Sequence, residues 1–234
     1  MNNNEDKIFT ISKNIIRPLI KRPTFIFNED FDDKYSVILS NHVGVLGPLT
    51  YELFFDRPHY FWGTHEMNDG LVSSYRYLKN VFYPIKKGWG KVKSNIVSIF
   101  SAPVSNFAYS HLNLIPTYKD ARLLSTFKKS LEVLNDGNTL IIFPEDSSKG
   151  YFDKLKGFLA GFSLFGDYAL KNNIDLNIYG AYFDKNNSTI TFSSAEKFSA
   201  LKQNFNDKYN MAEYMCNKVN SLRVKNNKLK LKRV

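Results

Sequence analysis

A chain of 234 residues, 43% hydrophobic and 23% charged, can bury a core of its own and is composed like one globular domain. Its net charge of +10, carried by far more lysine than arginine, favours a diffuse anionic partner such as a lipid surface, and no specific nucleic acid is expected. One cysteine, Cys216, excludes an internal disulfide. With no run long and apolar enough to span a bilayer and no leader-like start, the expectation is a cytoplasmic protein peripheral to the inner face of the membrane.

Residues 1–6 read as disordered. From Lys7 to Ile20, Ile8, Ile11, Ile15 and Leu19 recur on one helical face, with Lys13, Arg17 and Lys21 on the remainder; Pro18 should kink this helix or start a second short one. Such a basic amphipathic helix can lie in a membrane interface or pack on its own domain. Residues 23–36 read as a loop with a solvated acidic cluster, Glu29, Asp30, Asp32 and Asp33. Val37 to Leu39 is a continuous apolar run, hence a central parallel strand. It opens into the turn Asn41-His42 and a helix from Pro48 to Phe55. Tyr60 to Gly63 is a further strand candidate, followed by a turn at 65–70.

The stretch from Lys91 to Leu114 is the most apolar, broken at Pro103. It reads as a buried helical hairpin or as a surface for acyl chains, with Lys86, Lys87, Lys91 and Lys93 forming a basic lip. Leu114 to Thr117 is a short strand, and Asp120 to Leu134 an amphipathic helix closed by Asp136-Gly137. Leu140 to Phe143 returns to the sheet and ends in Pro144-Glu145-Asp146-Ser147-Ser148. Gly157 to Leu170 is a helix whose Gly161 and Gly166 allow close packing or an approaching ligand. Strands at 178–183 and 189–193 flank the turn 184–187, and a last helix covers about 207–222. The domain reading is therefore an N-terminal amphipathic helix and linker (1–34), an α/β body (35–222) and a basic tail (223–234). The fold class is α/β, a mostly parallel central sheet flanked by helices. No internal repeat, metal-ligand spacing or phosphate-cradling glycine loop is present.

Two of these strands end abruptly in polar groups, as strands do where an α/β sheet opens into its ligand crevice. Asn41-His42, then Ile115-Pro116-Thr117-Tyr118-Lys119, then Phe143-Pro144-Glu145, resemble the first three motifs of the glycerolipid acyltransferases, typified by 1-acylglycerol-3-phosphate acyltransferase. Order and context match from about Tyr35 to Phe183. The resemblance implies an acyl transfer from acyl-CoA or acyl-carrier protein to a hydroxyl of a lysophospholipid or glycerol phosphate, with no other cofactor and no metal. It makes His42 the general base and Glu145 the second catalytic residue, which helps Ser147 and Ser148 shape the acceptor pocket. Asn41, Lys119, Ser147, Ser148 and Lys149 become substrate-binding, with Lys119 as the phosphate cation and Lys149 in place of the third block's arginine. It also implies membrane docking through the N-terminal helix.

The chain departs from the pattern at position 47, where the family's aspartate is replaced by Gly47. A carboxylate there fixes the imidazole tautomer and stabilises imidazolium, and its loss from a serine-protease triad costs about 10⁴ in rate. Glu66, Asp69 and Asp146, all on turns, are the candidate replacements. The His65–Asp69 pair mimics the missing motif at near-miss spacing and ranks second. A catalytically impaired, lipid-binding homologue is the alternative reading.

Overall fold

The computed structural model describes the backbone of residues 3–146 and 150–231 and the side chains of residues 7–146 and 150–223. Ser147, Ser148, Lys149 and most of the basic tail lie outside that range. Helix α1 (Asn3–Ile16) passes through a single tight turn at Pro18 into strand β1 (Thr24–Phe27). Then come β2 (Ser36–Ser40), α2 (Leu46–Phe54), β3 (His59–Thr64) and α3 (Leu71–Tyr77). The coil of α3 continues as a wide π-helical segment, Leu78–Lys86, before α4 (Lys91–His111). After β4 (Leu114–Thr117), α5 (Leu123–Asn135) and β5 (Thr139–Ile142) come α6 (Gly161–Lys171), β6 (Asn177–Asp184) and β7 (Thr189–Phe192). Short β8 (Glu196–Lys197), α7 (Phe198–Asn204) and α8 (Lys208–Leu231) complete the chain.

The strands form one sheet in the order β1-β7-β6-β2-β5-β3-β4, with β8 also on β6. The run from β6 to β4 is parallel throughout; β7 and β8 pair antiparallel to β6. The centre is β2, between β5 and β6, with Val37, Ile38 and Leu39 all fully buried. That is why this stretch is apolar without alternation: both faces are covered. Val37 and Leu39 join Leu140, Ile142, Phe162, Phe165 and Val219 in the core beneath α5, α6 and α8, while Ile38 joins Tyr51, Phe61, Ile141, Tyr179 and Phe192 beneath α2. At Gly166 a Cβ would lie 2.2 Å from the buried Phe198 ring, so this glycine serves packing rather than a ligand.

Six expectations need correction. The helix at the N-terminus begins at Asn3, inside the segment read as disordered. Residues 24–27 are an edge strand paired with β7, not loop; four half-exposed residues carry too little periodicity to announce it. Its acidic neighbours are not merely solvated either: Asp32 Oδ2 accepts from Asn177 Nδ2 at 2.9 Å, and Asp33 pairs with Arg57. The apolar stretch at 91–111 is one continuous helix with Pro103 inside it, not a hairpin. Proline removes one i→i−4 bond, and packing of Ser94, Ser98 and Ala102 against the body holds the helix through it. Finally, α6 starts only at Gly161, and α8 runs on to Leu231, beyond the predicted end at 222.

Two helices leave apolar rows uncovered. On α1 the row Ile8, Ile11, Ile15 faces outward, continued by Leu19, which is 79% exposed. Phe9, from the other side of the same helix, packs on Phe107 and His111 of α4. Helix α4 in turn exposes Val92, Ile96, Phe100 and Val104. Among the described residues no helix is long and apolar enough to cross a membrane.

Candidate functional site

The C-terminal ends of β2 and β5 lie side by side because the strands pair in register, Val37 with Leu140 and Leu39 with Ile142. Just past β2, Asn41 is buried and its amide bonds the backbone of β6 at both ends. Nδ2 donates to the Phe183 carbonyl (3.0 Å) and Oδ1 accepts the Phe183 N–H (2.7 Å). Asn41 therefore locks the strand end to β6, while its amide keeps a second N–H and a second lone pair and the residue also lines the neighbouring cavity. The chain then turns sharply, with Val43 (φ 48°) and Gly44 (φ 63°) both left-handed. A β-branched residue in that region is strained, and such strain gathers at functional sites.

The turn has a chemical result. It brings the Gly44 carbonyl back onto the ring of His42, 2.5 Å from Nδ1. A carbonyl can only accept, so Nδ1 carries the proton and Nε2 keeps its lone pair. The ring is half-buried, packed on Phe143 and Tyr151 with centroids 5.0 Å away in each case. Burial above all, then the charges of Lys86 and Lys87, push its pKa down to about 4, against the opposing Gly44 hydrogen bond. His42 is thus a neutral imidazole at pH 7.

Glu145 is buried and reaches the same turn from β5. Its Oε2 accepts the backbone N–H of His42 (3.2 Å) and its Oε1 that of Phe152 (3.4 Å). One carboxylate thereby clamps the loop after β2 to the loop after β5. Burial raises its pKa, against those two hydrogen bonds and Lys86. The histidine and the glutamate, 103 positions apart, are brought together, but through the main chain of His42 rather than its ring.

Lys86 closes the arrangement. The π-helical segment ends on it and places its ammonium 5.8 Å from the ring centroids of both Tyr77 and Tyr151. Burial lowers its pKa, and the carboxylates of Glu145 and Glu66 act in the opposite sense. A cavity of about 370 Å3 opens alongside, walled by Asn41, Val43, Gly44, Lys86, Lys87, Tyr151, the β6–β7 hairpin and Arg223. The His42 ring is not one of its walls; Tyr151, on which the ring packs, is.

The remaining predicted residues divide. Lys119 lies at the end of β4, on the far side of β5 and β3, where its charge acts on Glu66. It is not in the cavity wall, whereas Lys86 is. Glu66 accepts from Thr64 and pairs with His65 at 3.2 Å. Asp69 sits near Arg122, and Asp146 is exposed with its N–H on the Gly157 carbonyl (3.1 Å). Nδ1 of His42 faces a carbonyl rather than any of these three. Gly47 also resolves differently from a simple missing side chain: a Cβ there would stand 2.1 Å from the His42 carbonyl oxygen. The backbone leaves no room for the family's aspartate. Sequence reading missed Lys86 as a site residue, along with Tyr151, Lys185 and Arg223. The run Lys86-Lys87-Gly88 was the available signal, but only the folded chain ties it to His42.

No protein-family model matches the chain, and no curated protein matches it. Among the described residues no group of three or more His, Cys, Asp or Glu could hold a metal ion.

Proposed function

We propose that the protein moves a fatty acyl group from a thioester, acyl-CoA or acyl-carrier protein, to a hydroxyl of a lysophospholipid or glycerol phosphate, with His42 as general base. The observation that carries this reading is the Gly44 carbonyl on Nδ1, which leaves Nε2 as a proton acceptor beside a cationic cavity. In the reaction Nε2 takes the acceptor's hydroxyl proton as its oxygen attacks the thioester carbon. The tetrahedral intermediate then collapses, the C–S bond breaks, and the imidazolium returns the proton to the departing thiolate.

A carbonyl does half of an aspartate's work. It fixes the tautomer, the part whose failure is so costly in a triad, but brings no full negative charge to the imidazolium. Glu145, buried against the same turn, holds the main chain of His42 and not its ring. Lys86 and Lys87 depress the basicity of His42, and a bound phosphate offsets them, so the base strengthens as the anionic acceptor arrives. The uncovered rows of α1 and α4, flanked by Lys91 and Lys93, support docking on an anionic membrane surface, where lysolipids reside.

The second reading, a lipid-binding homologue with impaired turnover, is favoured by that depressed pKa: a histidine titrating near 4 is a weak base. Thiol release from acyl-CoA in the presence of lysophosphatidate separates the two. Turnover by the native protein and its loss in His42→Ala uphold the first. Vesicle binding by a native protein that releases no thiol selects the second.

A further inference from the structure

The cavity on the β6 side of His42 collects more positive charge than a catalytic base requires. Lys86 and Lys87 come from the end of the π-helical segment, Lys185 from the β6–β7 hairpin and Arg223 from α8. Among the described residues none of the four is in an ion pair. Two acids share the wall, Asp153 and Asp184. Asp184 is occupied by its own hairpin, accepting the N–H groups of Asn186 (3.0 Å) and Asn187 (3.1 Å) as well as the Asn187 amide. Arg223 reaches the Tyr182 hydroxyl, which donates to the Asp153 carbonyl at 2.7 Å, so the guanidinium is held in place at the rim.

Bringing four cations from three separate elements into one hollow costs mutual repulsion and partial desolvation, and an anion in the hollow relieves both. The shape narrows the choice. A hollow of about 370 Å3 is at the small end of ligand pockets; it admits a phosphorylated small molecule or head group, whereas a nucleic-acid strand needs an extended groove. A guanidinium and three ammonium groups suit phosphate oxygens, the fork giving directed bonds and the lysines point charges.

We propose that this cavity is a phosphate-binding site, lying on the opposite side of His42 from Lys119 and taking a phosphate monoester or diphosphate. This does not rest on acyl transfer: it is a statement about binding. Two sources supply such a group next to His42, the phosphorylated nucleotide end of a CoA thioester and the phosphate of a glycerol phosphate.

Isothermal titration of the full chain at low salt with sodium pyrophosphate, adenosine 3′,5′-bisphosphate and sn-glycerol 3-phosphate tests it. At least one probe should bind at one site per chain with Kd below about 1 mM, and the tightest of the three names the source. The pair Lys185→Gln and Arg223→Gln should weaken that binding about tenfold or more, while Lys129→Gln on α5 should leave it unchanged. Lys185→Gln alone, on an exposed hairpin, serves if Arg223→Gln lowers the melting temperature. Failure of all three probes to bind, or equal binding by the Lys185 variant and the native chain, overturns the proposal. Acyl transfer without anion binding removes this site and keeps the reaction; anion binding without acyl transfer does the reverse.

Discussion

His42 and His65 stand at equivalent places, each just past the C-terminal end of a parallel strand and each with Nδ1 on a backbone carbonyl, yet the charges around them differ. His65 has a carboxylate close by, with Glu66 3.2 Å from Nδ1, although the hydrogen bond of that nitrogen is to the Thr117 carbonyl (3.3 Å), and its ring lies against Tyr118 with centroids 4.9 Å apart. His42 has no such carboxylate on its hydrogen-bonded nitrogen, only a peptide carbonyl, but it sits beside the charged cavity and is clamped by a buried glutamate. On the proposed reading, a carboxylate next to an imidazole does not mark the base. In the proposed reaction a backbone carbonyl sets the tautomer as well as a side chain can.

The contrast can be broken most decisively by removing each ring in turn. His42→Ala should lower acyl transfer by about 10²–10⁴-fold, the usual worth of a general base, while His65→Ala should change it less than about threefold. Thiol-release kinetics with both variants read this directly, and a reversed order would move the reaction to the β3–β4 end of the sheet. Next in size is Glu145→Gln. The amide keeps one acceptor and loses the other, so one of the N–H groups of His42 and Phe152 goes unpaired. A loss of about tenfold in kcat with a smaller change in KM is expected.

Gly47→Asp sharpens the comparison from the other side, because it supplies the carboxylate that the resemblance would ask for. Its Cβ has no space beside the His42 carbonyl, so the variant should lose about 1–3 kcal/mol of stability in urea denaturation and gain no activity. The smallest effect is the titration of His42. Its folded pKa of about 4 lies below the ordinary value of 6.5, so the unfolded chain binds the extra proton between those limits. This contribution to stability is complete above pH 6.5 and is lost as pH falls toward 4. The ring carbon resonance of His42 should stay in its neutral form at pH 5.5 and move to higher pKa when phosphate is added; a midpoint near 6.5 in the free protein would show the ring to be solvated.

The sheet's centre was legible because its physics is local. Val37 to Leu39 and Leu140 to Ile142 are apolar on consecutive positions, and only a strand covered on both faces needs that. The convergence of His42 and Glu145 followed from the order of strand ends. What was hidden depends on things other than side-chain identity. The hydrogen-bond partner of the His42 ring is a main-chain oxygen, made available by two left-handed residues, one of them a valine that no turn rule selects. The segment from Leu71 to Lys86 carries Pro84 and a wide winding, so its periodicity does not match a regular helix. Arg223 and Lys185 reach the cavity only through the packing of α8 and the placing of a hairpin.

The winding of residues 78–86 has one more consequence. A π-helix turns through a smaller angle per residue than an α-helix, so tightening even one of its loops by a single position rotates everything beyond it around the axis. Lys86 lies at the far end of that coil, poised among Glu66, Glu145 and the His42 imidazole. Any event that rewinds the segment also re-aims a positive charge, and the basicity of the histidine becomes a function of helical pitch.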